Sequence, residues 1–82
     1  MESRAFIVAA KALVEKIENN RNTIGTADEL QNQRENVQKE VGQLFAGLQN
    51  PTLPSAFKLR DVAMRNGFSV SPLTLNRLAQ FE

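Results

Sequence analysis

The chain has no histidine, cysteine, tryptophan or tyrosine. Without histidine it has no side chain that ordinarily titrates near neutral pH, and without cysteine it has no disulfide, thiolate nucleophile or thiolate metal ligand. The general acids and bases that remain are nine carboxylates, ten lysines and arginines and the hydroxyls. They fall into no recognisable catalytic spacing, and no phosphate loop, dinucleotide fingerprint, calcium loop or zinc spacing is present. The expectation is therefore a non-enzymatic protein with no cofactor, no metal and no small-molecule substrate.

Long apolar runs are missing as well. The richest stretch, residues 5–14, is interrupted by Lys11, preceded by Glu2 and followed at once by Glu15. It is too short to cross a bilayer and lacks the basic start of a secretion signal. A membrane-surface helix using Phe6, Ile7 and Val14 would need a strongly basic polar face, whereas Lys11 and Lys16 alternate with Glu15 and Glu18. The expectation is a cytoplasmic or other intracellular protein with no signal peptide, no transmembrane segment and no membrane partner.

Net charge of either sign is small too. The formal net charge is +1, too small to draw the chain onto nucleic acid nonspecifically. It is unevenly spread: residues 1–50 hold six basic and seven acidic groups, residues 51–82 four and two. Eighty-two residues make one small domain, which buries only about 60 to 65% of its unfolded surface. With no covalent staple, such a chain needs well-packed helices, self-association or a larger partner.

What is present is helical periodicity. At 100° per residue, Phe6, Ile7, Ala10, Leu13, Val14 and Ile17 fall on one stripe about 120° wide, predicting an amphipathic helix over residues 3–19. Val8, Ala9 and Ala12 form a weaker second face on the other side. It is either a second contact surface or scattered exposed apolar residues.

Asn19, Asn20, Asn22 and Gly25 mark a turn. Thr26 followed by Glu29 is a capping box that opens a second helix. Leu30, Val37, Val41, Leu44, Phe45 and Leu48 form its apolar stripe, and Glu35 with Lys39 adds a favourable i,i+4 pair. A short turn between two such helices predicts an antiparallel hairpin over residues 3–49. Arg34 interrupts the seam and is read as laying its stem along the core with its guanidinium in water. Eleven Asn and Gln residues lie between positions 19 and 50. They read as a solvated face, with an amide-rich interface as the alternative.

Pro51 and Pro54 predict an extended connector over residues 50–55. Ser55 is placed as the cap of a third helix over residues 56–66, closed by Gly67 in the left-handed conformation with Phe68 folding back. Ser71 and Pro72 open a fourth helix reaching about Gln80. Phe57, Leu59, Val62, Ala63, Phe68, Val70, Leu73, Leu75 and Leu78 are expected to form the core that the third and fourth helices share with the hairpin. Ser55 and Lys58 also match a Ser-x-x-Lys pattern, but the other motifs of that catalytic class are absent.

The string Leu59-Arg60-Asp61-Val62-Ala63-Met64-Arg65-Asn66-Gly67-Phe68-Ser69-Val70-Ser71 resembles the helix-turn-helix of LacI-type repressors. It departs from that pattern at Asn66, Pro72 and Asn76. The resemblance covers residues 59–78 and implies a DNA-reading tail, with Thr74, Asn76, Arg77 and Gln80 toward base edges and Arg60 and Arg65 near phosphates.

Taken together, these features predict an all-α fold: a two-helix hairpin, a proline connector and two short helices, forming one small bundle over residues 1–82. Two functions remain open. One is a protein-interaction module that binds a protein partner or itself, with Phe6, Val8, Leu13, Val37 and Phe45 as core or interface positions. The other is a small DNA-binding regulator.

Overall fold

A computed structural model describes residues 2–19 and 25–82, together with the helical backbone of residues 20 and 21. Those residues form four α-helices and no strand: α1 (Ser3–Arg21), α2 (Ala27–Ala46), α3 (Pro54–Arg65) and α4 (Pro72–Ala79). The first helix runs two residues past its expected end, and the turn residue Asn22 lies outside the described residues.

Each long helix forms around its apolar stripe. In α1, Phe6, Ala10, Leu13, Val14 and Ile17 are buried, while Ile7 sits at the stripe's edge and is 42% exposed. In α2, Val37, Val41, Leu44 and Phe45 are buried, and Leu30, one turn from the start, is half-buried. Thr26 caps α2 by accepting the Glu29 N–H at 3.2 Å, and Asp28 and Glu29 place negative charge against the helix's positive end. Packing locks the pair together: the rings of Phe6 and Phe45 meet tilted at 6.3 Å, and Lys16 reaches Glu40 at 3.1 Å. Helix α1 packs against both α2 and α3. It is the central element of the fold.

The connector is a tight turn rather than an extended segment. The Asn50 side chain accepts the Thr52 N–H at 3.1 Å, and the Leu53 N–H turns back to the Asn50 carbonyl at 3.4 Å. This is the Asx geometry that Asn-Pro favours. The start of α3 is also corrected. Leu53, not Ser55, holds the N-cap position, and Pro54 is the first helical residue. Proline's fixed φ and missing N–H suit that place, so the helix begins two residues earlier than a serine cap would set it. Ser55 is left inside the first turn, its Oγ buried without a hydrogen-bond partner.

The end of α3 follows the expectation. Gly67 has φ +81°, the Phe68 N–H bonds the Ala63 carbonyl at 2.9 Å and the Gly67 N–H bonds Met64 at 3.2 Å. These are the two bonds of a Schellman motif. Asn66 adds a side-chain bond to the Val62 carbonyl at 2.7 Å, which gives this amide a capping use where the repressor pattern has an apolar residue. Ser71 occupies the N-cap of α4 with Pro72 next, but its hydroxyl makes no capping bond.

One hydrophobic core joins all four helices. Phe6, Ile17, Leu59, Leu78, Val37 and Val41 are its largest fully buried side chains, each contributing about 1.5–3 kcal/mol by removal from water. Phe57 and Val70 pack partly against it. Leu73, expected inside, is 76% exposed, and Thr74 takes the buried position instead. The molecule measures 39 × 24 × 17 Å. Its short dimension is about two helices thick, so every helix has a face that none of the described residues covers.

Candidate interaction surface

The outward face of α1 is one consequence of that two-layer build. Phe6, Leu13, Val37 and Phe45 lie in the core, whereas Val8 stands 65% exposed. Ala5 and Ala12 are exposed beside it and Ala9 is half-buried. Two shallow depressions share Ala9 and Ala12. One, of about 470 Å³, is bounded by Glu2, Arg4, Ala5 and Val8. The other, of about 430 Å³, runs on between α1 and α2 beside Leu13, Lys16, Glu40, Gln43 and Leu44. Together they form a trough floored by small apolar side chains, with charged residues at both ends.

Helical period and packing fix the rims. Lys16 bonds Glu40 of α2, and Glu2 falls on that same flank of α1. Glu15 borders the cleft toward α3, with Ser55 and Lys58 opposite, and Arg4 falls on that flank. Glu2, Arg4 and Glu15 make no ion pair among the described residues. The sequence already suggested Val8, Ala9 and Ala12 as a second face. It missed Ala5, whose seven-residue spacing from Ala12 was the available signal.

The C-terminal helix pair is organised differently from a free DNA reader. Its turn is clamped to α2 by two side chains. The Gln38 amide donates to the Ser69 carbonyl at 2.9 Å and accepts the Ser69 N–H at 2.8 Å. Arg34, expected to point into water, donates to the Asn66 carbonyl at 3.1 Å and stacks its guanidinium 4.5 Å from the centre of the Phe68 ring. Neither bond was visible in the sequence, because a local pattern does not say which distant carbonyl a long polar side chain will reach.

Three of the six residues assigned to DNA contact are engaged elsewhere. Thr74 is 7% exposed, so its expected place at a base edge is corrected to the core. Arg77 donates to the Leu48 carbonyl at 3.1 Å, tying α4 to the chain just past the end of α2. Arg60 pairs with Asp61 at 3.1 Å and with Glu82, and lies 5.3 Å from the Phe57 ring centre. Burial works to lower the Arg60 pKa, but the hydrogen bonds it donates to Glu82 and Asp61, together with their charges, outweigh it, and the net shift is upward. Arg65, Asn76 and Gln80 are left on the outside: Arg65 in the last turn of α3, Asn76 on α4 and Gln80 at its C-cap.

Among the described residues no three carboxylate, histidine or cysteine side chains come together as a metal site, and no helix is long and apolar enough to cross a membrane. No protein family, curated protein or solved structure matches this chain.

Proposed function

We propose that this chain is a non-enzymatic protein-interaction module: an antiparallel hairpin of α1 and α2, braced by α3 and α4, that docks on protein through the outward face of α1. The observation that carries this reading is Val8 at 65% exposure in the middle of a trough floored by Ala5, Ala9 and Ala12. Small side chains let another helix approach closely, and an exposed valine offers apolar area to bury.

Surface area supports the same reading. The chain exposes 5417 Å², whereas a compact monomer of its mass exposes about 4,900 Å². A domain this small gains stability by covering such an excess.

The DNA-binding alternative has thinner support. It keeps exposed Asn76, Gln80 and Arg65, but loses Thr74 to the core and has Arg60 and Arg77 bonded within the chain.

The docking role is tested by using the wild-type chain and the Val8→Glu variant as baits in an extract of the cells that make the protein. Val8 is exposed, so the charge leaves the fold intact. At least one protein, or the chain itself, is expected to be retained by wild type and lost by the variant. Identical retained sets would overturn the reading.

A further inference from the structure

We infer that Asn66 is a site of spontaneous deamidation held shut by α2, so that opening of the turn after α3 converts it irreversibly to aspartate or isoaspartate. Asn66-Gly67 is the one Asn-Gly step in the chain. Glycine sets no Cβ beside its own nitrogen, so that nitrogen is the backbone amide best able to reach the preceding carboxamide. In the reaction the Gly67 nitrogen gives its proton to solvent hydroxide and bonds to Asn66 Cγ. The Cγ–Nδ2 bond then breaks, and ammonia leaves with a proton taken from water. A second water opens the five-membered imide on one side or the other, giving aspartate, or isoaspartate with the former side chain in the main chain.

Burial does not prevent this. Asn66 is half-buried and Gly67 exposed, and a depression of about 400 Å³ bounded by Arg34, Gln38, Gly67 and Phe68 opens beside them. Conformation does prevent it. Ring closure needs the Gly67 nitrogen on the same side as Asn66 Cβ, but ψ of Asn66 is 12°, which nearly eclipses that nitrogen with Asn66's own. Tetrahedral geometry places Cβ about a third of a turn away.

Rotation about the Asn66 Cα–C bond carries both the Asn66 carbonyl and the Gly67 N–H, and both are held. Arg34 of α2 donates to the carbonyl at 3.1 Å, and the Gly67 N–H donates to the Met64 carbonyl at 3.2 Å. The carboxamide under attack is held too, donating to the Val62 carbonyl at 2.7 Å. Gln38 fixes Ser69, two residues on, with two further bonds. The reaction therefore waits on release of Arg34 from the turn.

Once formed, the product opposes closure. A carboxylate has no N–H to offer the Val62 carbonyl, and it sets negative charge against the negative end of α3. Isoaspartate also lengthens the main chain by a methylene. The change removes the chain's formal net charge of +1.

Peptide mass spectrometry of the purified chain, held folded at mildly alkaline pH and sampled over days, tests this by counting aspartate and isoaspartate at position 66. The same chain in urea gives the unrestrained rate. Arg34→Ala removes the clamp, and Ala10→Gly weakens the fold from α1, away from the turn; circular dichroism verifies that both are folded. The folded wild type is expected to react more than tenfold slower than the chain in urea. Arg34→Ala should react several-fold faster than wild type when folded and at the wild-type rate in urea, with Ala10→Gly rising less. Equal wild-type rates with and without urea would overturn protection by the fold. A rise in Arg34→Ala no greater than in Ala10→Gly would overturn the clamp.

Discussion

The Gln38 side chain and the Ser69 backbone bond each other twice, Nε2 donating to the Ser69 carbonyl at 2.9 Å and Oε1 accepting its N–H at 2.8 Å. The carboxamide copies the pairing of a neighbouring strand and fastens the turn between α3 and α4 to the middle of α2. One of the eleven amides in the 19–50 region is therefore a structural tie. Gln38→Ala is expected to cost about 1 kcal/mol, since each such bond is worth roughly 0.5–1.5 kcal/mol net and this one lies near the surface. Urea unfolding with an unchanged slope and a lower midpoint would verify it. An unchanged midpoint would mean that water replaces both bonds without loss.

Gly67 closes α3 at φ +81°, and a Cβ there would stand 3.1 Å from the Arg34 guanidinium. Any side chain adds left-handed backbone strain of about 1–2 kcal/mol. The close neighbour is the end of a flexible side chain, so the strain is the larger part. Gly67→Ala should lower stability by about 1 kcal/mol or somewhat more. Arg34→Lys should cost about 0.5–1 kcal/mol, because lysine keeps the charge but loses the planar stack on Phe68. Thermal melts of the two variants and their combination measure both, and a fully additive double variant would argue against contact between the two sites.

Much of this fold was legible in the sequence. The stripe from Phe6 to Ile17 and the stripe from Val37 to Leu48 located the two long helices and most of the core, since burial enforces the helical period. Thr26 marked the start of α2 and Gly67 the end of α3, because few residues do those local jobs. Ser55 misled because Pro54 and Ser55 compete to open one helix, and proline's geometry prevails. Leu73 and Thr74 misled because α4 has only eight residues, too few for periodicity to fix its phase between two adjacent positions. The clamps of Arg34 and Gln38 depend on how α2 meets a distant turn, which no local pattern records. The outward face of α1 was half visible, as Val8, Ala9 and Ala12, but its exposure became definite only once α2 and α3 were placed on either side.

Ser55 offers a test whose sign separates two accounts. A capping serine replaced by alanine costs typically about 1 kcal/mol. In the structure the Ser55 Oγ is buried with no partner, and removing an unsatisfied hydroxyl relieves a desolvation cost. Ser55→Ala should therefore be neutral or stabilising by up to about 1 kcal/mol. A clear fall in the melting temperature would restore the capping role.

Arg77 separates bracing from DNA reading. Its bond to the Leu48 carbonyl makes Arg77→Ala destabilising by about 1.5–3 kcal/mol, the range of hydrogen bonds to charged groups. Fluorescence anisotropy of labelled duplex DNA is expected to show no saturable binding by the wild-type chain at low salt. Unchanged stability together with lost, salt-dependent DNA binding would place Arg77 at a phosphate or base instead.

The central claim is that the outward face of α1 is where this chain meets protein. A photo-crosslinking residue introduced at Val8, compared with the same residue at exposed Gln33 on α2, interrogates that face in the cells that make the protein. The account predicts a discrete adduct at Val8, at twice the chain's mass if the occupant is a second copy, and none at Gln33. Equal labelling at the two positions, or no adduct at Val8, would contradict it.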